Sequence, residues 1–144
     1  MQAALESRSE LRQFLGMHPA HRFFGTWTLD PARTTHQYGE VPQSIRMTLE
    51  PRDGGLHIRM EIVGAHGATA TMDGTWPFGE GERNATDVLD ERTLVHRLKQ
   101  RGEVTSTMRR ELWEDGNTMT VRHEGLSEGE PWVNVSLFVR EQTA

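Results

Sequence analysis

The chain has 144 residues, of which 35% are hydrophobic and 26% charged, with a formal net charge of −5. That size fits one domain spanning 1–144, and the slight acidity argues against nucleic acid as a partner, since such proteins carry a basic footprint. There is no cysteine, which excludes a disulfide framework and a thiolate metal centre. No stretch approaches the ~18 apolar residues of a membrane span. The opening "MQAALESRSELRQ" has mixed charge where a signal peptide needs an apolar run, so a cytoplasmic protein is expected.

Residues 3–16, "AALESRSELRQFLG", place Leu11, Phe14 and Leu15 at helical spacing, with Gly16 as a stop and Pro19 barring continuation. A short N-terminal helix over 3–16 is predicted, ahead of a β domain over 24–140. From "HRFFGTWTLD" onward the period becomes two. "SIRMTLE" alternates Ile45, Met47 and Leu49 against Arg46, Thr48 and Glu50, and "LHIRMEI" alternates Leu56, Ile58, Met60 and Ile62 against His57, Arg59 and Glu61. The segment 77–92, "PFGEGERNATDVLDER", reads as a long irregular loop with at most a short strand near Val88. "TLVHRLK", "VTSTMRREL", "TMTVRH" and "WVNVSLFVR" then repeat the alternation of half-buried antiparallel strands. Turn signals separate these runs at Asp53-Gly54, His66-Gly67, Asp73-Gly74, Arg101-Gly102, Asp115-Gly116 and Glu128-Gly129.

The predicted fold class is therefore all-β: an antiparallel up-and-down barrel of about eight strands, closed because closure removes exposed edges. A two-sheet sandwich is the rival architecture. Asn84-Ala85-Thr86 and Asn134-Val135-Ser136 match the glycosylation pattern but read as chance matches without a secretion signal.

Gly25, Thr26 and Trp27 at the first strand resemble the lipocalin (calycin) signature. In that group the glycine permits close backbone packing, the tryptophan closes the narrow end, and an arginine from near the last strand packs over it. Arg140 in "LFVRE" stands at a suitable place. The ordered set of "GTWTLDPART", "MDGTWPF", "RTLVHRL", "DGNTMTV" and "GEPWVNV" is similar to a family of small bacterial lipocalin-like β-barrels, mostly uncharacterised, over residues 25–140. The resemblance implies fold more than function. It departs at 79–88, which is shorter than the family's strand-bearing segment, so that a strand is expected to be missing or reduced. Haem-binding nitrobindin-like barrels share a Gly-x-Trp start but follow it with spaced glycines that this chain lacks, so no haem and no other cofactor is expected.

If each apolar face points inward, Ile45, Met47, Leu49, Ile58, Met60, Met108, Met119, Val121, Val135 and Leu137 line one interior, and His96, Ser106, Arg110 and His123 share their parity. The methionines suit a soft, adaptable pocket or an equally soft packed core. Trp76, Trp113 and Trp132 rim an opening or cover a base. Arg110 is rarely buried unless paired, yet no carboxylate shares its inward parity. The bland alternative puts His96 and His123 at wet strand ends and Arg110 against a mouth carboxylate.

Three functions follow. The first is binding of a small hydrophobic or amphipathic molecule, anchored by Arg110, His96 and His123 in an apolar pocket. The second is a small barrel enzyme of cyclase, isomerase or dehydratase type acting on a natural-product-like substrate, with His96 and His123 as acid and base and Arg110 as oxyanion group. The third is an interaction module with a collapsed pocket. His18 and His21 flank Pro19, and His36, His57 and His66 look exposed and ungathered, so no metal site is expected. No G-x-S-x-G, phosphate loop or nucleotide fingerprint occurs. Ligand identity and oligomeric state are not legible.

Overall fold

The computed structural model describes residues 20–52 and 54–142; the helix expected over 3–16 lies outside them. The period-two segments form the strands β1 (Gly25–Leu29), β2 (Thr35–His36), β3 (Ser44–Arg52), β4 (Gly55–Val63), β5 (Thr69–Pro77), β6 (Asn84–Asp90), β7 (Thr93–Gln100), β8 (Glu103–Leu112), β9 (Thr118–Ser127) and β10 (Glu130–Arg140). They make one sheet in the order β5-β4-β3-β1-β10-β9-β8-β7-β6, and the short β2 also pairs with β10. The sheet curls into a nearly closed antiparallel barrel.

Ten strands replace the expected eight for local reasons. Two residues of β2 are too few to show a period. In β6 the residues paired with Leu98, His96 and Leu94 are Asn84, Thr86 and Val88, so polar side chains occupy two of three positions on that face. In β5 the Asp73-Gly74 turn signal sits mid-strand, with Gly74 opposite Ile58. At Arg101–Gly102 and Glu128–Gly129, by contrast, both residues have positive φ and connect their strands by two-residue turns.

Counting strands explains where closure is weakest. Nine strands lie along the ring, and each ladder between ring neighbours is antiparallel. An odd ring leaves its two end strands, β5 and β6, running the same way. The chain must therefore climb back between them, and Phe78–Arg83 does so, with Phe78 and Gly79 each forming an isolated bridge to Thr86. Gly79 exchanges two backbone hydrogen bonds with Thr86, at 2.7 and 3.1 Å, and Arg83 O accepts from Lys99 N at 2.7 Å. Trp76 covers the seam from inside, its ring 4.8 Å from that of His96.

The opposite join, β1 to β10, is locked. Trp27 is fully buried and its indole Nε1 donates to Phe23 O at 3.0 Å. The Arg140 guanidinium lies 4.3 Å above the indole ring, a cation–π contact. Arg140 also donates to three carbonyls, Gly116 O (3.1 Å), Phe24 O (2.5 Å) and Arg22 O (2.6 Å). Gly25 makes this possible: its φ is +129°, and a Cβ there would sit 2.9 Å from Arg140 Nη1. Phe23, Leu49, Leu56, Leu112 and Met119 fill this end.

Trp27→Ala is expected to cost about 3–5 kcal/mol in urea unfolding, as a large-to-small core change. Val139→Thr, on the outer face one residue before Arg140, is expected to stay within about 0.5 kcal/mol. Equal, small effects for both variants would show that the closed end is not a packed core.

Candidate functional site

Above the closed end the barrel interior becomes polar in steps, and the register sets the steps. Opposite residues of an antiparallel ladder share a face. The inward pairs between β8 and β9 run Leu112–Met119, Arg110–Val121, Met108–His123 and Ser106–Gly125. A cavity of about 130 Å³ opens over this ladder, lined by Ile45, Met47, Met60, Met108, Arg110, Val121 and His123 together with His36, Asn134, Ser136 and Phe138.

Of the residues proposed for binding, Ile45, Met47, Met60, Met108, Arg110 and Val121 line the cavity. Ile58 and Met119 belong to the packed core. Val135 and Leu137 do not face inward. In β10, Phe138 lies opposite Met119 and Leu29, and Arg140 lies opposite Trp27. All three partners are core residues, so the even-numbered residues of β10 point in. The regular Val133-Val135-Leu137-Val139 alternation decorates the outer face. Leu137 is nonetheless buried: the Asp30–Thr34 turn crosses it, with Asp30 N donating to Leu137 O and Leu137 N donating to Thr34 Oγ1. Met72, of inward parity, is 54% exposed beside the seam.

Arg110 is the floor of the cavity and only 3% exposed. Its Nε donates to His96 Nε2 at 3.0 Å, its Nη1 to Met47 Sδ at 3.3 Å and its Nη2 to Met108 Sδ at 3.5 Å. Thioethers are weak acceptors, and among the described residues no carboxylate pairs with it. Burial lowers its pKa to about 10, so it stays cationic at neutral pH.

His96 lies behind Arg110, fully buried, and does not line the cavity. Its Nε2 accepts from the guanidinium. A neutral imidazole has one N–H, so Nδ1 carries it and donates to Thr86 Oγ1 at 2.9 Å. Burial, and then the charge of Arg110, holds its pKa well below 6.5. Its role is to orient the guanidinium.

His123 does face the cavity, half-buried, with Nε2 3.2 Å from Ser106 Oγ. Burial, then Arg110, then His36 lowers its pKa. The rim above it is aromatic: Trp132 meets His123 edge-on at 4.9 Å and stacks on Tyr38 at 5.1 Å.

His36, Asn134 and Ser136 are cavity residues that the strand patterns miss. His36 Nε2 lies 3.3 Å from Ser136 Oγ. Asn134 Oδ1 accepts from the backbone N–H groups of Gln37 and Tyr38 at 2.8 and 3.0 Å, pinning that segment beside the mouth. No cluster of three or more His, Asp or Glu side chains suited to a metal ion occurs among the described residues.

No protein-family model matches the chain, and no curated protein matches it. Among solved structures it is similar to a siderocalin, Ex-FABP, described as functioning through dual ligand specificities. The match has 7% identity and a TM-score of 0.43, and covers 85% of this chain and 76% of that one. At that level of likeness nothing about the site is carried across.

The histidines make stability pH-dependent with a defined sign. Below about pH 6.5 an unfolded His96 takes up a proton that the folded protein resists, so the unfolded state binds more protons and stability falls as pH falls. The His96 contribution is expected to be full above that pH. It is lost by up to about 1.36 kcal/mol per pH unit on acidification. Denaturant unfolding of wild type and His96→Gln between pH 7 and 5 checks this. The variant should show the shallower slope, and equal slopes would mean that His96 is not held neutral.

Proposed function

We propose that the protein binds a small amphipathic molecule, with an anionic or strongly polarised oxygen on Arg110 and an apolar body against Met47, Met60 and Met108. One observation carries this reading: a buried guanidinium at the floor of a cavity, with an imidazole nitrogen and two thioethers as its acceptors among the described residues. A buried cation without a partner is costly, and an anionic ligand head supplies the partner. Two of the five guanidinium N–H groups are not engaged by those three contacts, which suffices for a carboxylate.

Size limits the body. A cavity of about 150 Å³ holds benzene, so the ≈ 130 Å³ here encloses a ring-sized group. A longer ligand runs out past Tyr38 and Trp132. Flexible methionine walls accommodate varied shapes.

Phenylacetate is a suitable probe, with neutral phenylacetamide as its control. In calorimetric titration Arg110→Met is expected to weaken phenylacetate binding by about ten- to a hundredfold, the worth of a hydrogen bond to a charged group. Phenylacetamide should bind more weakly than phenylacetate to wild type and lose little in the variant. Equal binding of acid and amide, or an affinity for phenylacetate that ignores Arg110, overturns the reading.

A further inference from the structure

We infer that the same cavity transfers protons next to a carbonyl group, taking ring-sized enolisable ketones or aldehydes whose oxygen sits on Arg110. This rests on the binding reading above, which places a polarised oxygen there.

Two histidines from distant parts of the chain meet in this cavity. In the register of β10, Asn134 is opposite His36 of β2 on one side and His123 of β9 on the other. The three residues form one row across adjacent strands, and all three line the cavity. Two strand spacings put the backbones of His36 and His123 about 10 Å apart. Both imidazoles thus stand on the wall of one cavity, with Asn134 on the strand between them.

Both rings are held alike. Nε2 of His36 faces Ser136 Oγ, and Nε2 of His123 faces Ser106 Oγ. A hydroxyl donates or accepts, so each serine tolerates both protonation states of its imidazole. Nδ1 of each ring has no hydrogen-bond partner among the described residues and is free for substrate. The ionisable groups facing this space are Arg110, His36 and His123, with His96 behind. Arg109, Arg122 and Glu124 alternate to the outer face, where they pair with acids or bases of their own strands.

The step balances without an oxidant or reductant. His123 Nδ1 removes the α-proton, the C–H electron pair becomes the C=C bond of an enolate, and the carbonyl π pair moves onto oxygen. Arg110 N–H groups hold that oxygen, which is the electrostatic stabilisation such a reaction needs. His36, as imidazolium, returns a proton to carbon, and water at the mouth resets both rings. Burial, and then the charge of Arg110, favours the unprotonated form of His123, as a base must.

Proton NMR of phenylacetone in D₂O tests this directly, following loss of the benzylic CH₂ signal, with saturation-transfer difference in the same sample reporting binding. Wild type should exchange faster than an equal concentration of free imidazole, with a rate that falls on acidification as His123 is protonated. His123→Gln should lose about 10²–10⁴-fold in rate while retaining the saturation-transfer signal. His36→Gln, at the solvated rim, serves as the second variant and should also lose exchange rate while retaining the saturation-transfer signal. Binding without exchange above the imidazole control overturns this inference and leaves the binding reading standing. Absence of binding by both phenylacetone and phenylacetate overturns both. Unchanged exchange in both histidine variants also overturns it.

Discussion

The guanidinium of Arg110 is the constraint around which the interior is arranged. A cation this deep needs donors satisfied and charge answered, and the barrel provides only part of the first. His96 gives up its Nε2 lone pair to Nε of the arginine, which forces its own proton to Nδ1 and so requires an acceptor at Thr86. Met47 and Met108 take one N–H each, weakly. The carboxylates Glu80 and Glu141 pair elsewhere, with Arg97 and Lys99 and with Arg46. The charge is thus without a carboxylate partner among the described residues. Retaining such an arrangement instead of an apolar core costs stability, as functional sites commonly do.

The closed end makes that arrangement possible. Trp27, clamped between Phe23 O and the Arg140 guanidinium, fixes which residues of β1 and β10 face inward. Through the β10–β9 and β9–β8 ladders the same parity reaches Met119, Val121 and His123, and then Leu112, Arg110 and Met108. A one-residue slip anywhere along this path would turn Arg110 out to solvent. The other join, between β5 and β6, carries no such burden. Two parallel-running strands cannot continue the antiparallel ladder, and the short Phe78–Arg83 return with Trp76 behind it is enough to cover the seam.

Much of this was legible in the residues. Strict alternation in "SIRMTLE", "LHIRMEI" and "VTSTMRREL" marks β3, β4 and β8 because each buries one face only. Inward parity groups Arg110 with Met47, Met108 and His123, and these four line one cavity. Strand β10 misleads because four aliphatic residues alternate on its outer face, while Asn134 and Ser136 occupy the inner one. The expected Trp27–Arg140 contact already contains the remedy: if Arg140 points in, so do Phe138, Ser136 and Asn134. His36 could not be found from pattern, since β2 is two residues long and reaches the cavity only through its pairing with Asn134. Strand β6 hides for a related reason, because its inward Thr86 serves a buried hydrogen bond and not the apolar core.

The most direct measurement is of the guanidinium itself. Buried in slow exchange with water, the Nε–H of Arg110 should give a resolved ¹H–¹⁵N resonance, assigned by its absence in Arg110→Met. On titration with phenylacetate that resonance should shift and saturate along a one-site isotherm, in step with the carboxylate ¹³C signal of the ligand. A ligand that saturates the cavity while the Arg110 resonance stays in place would contradict the account.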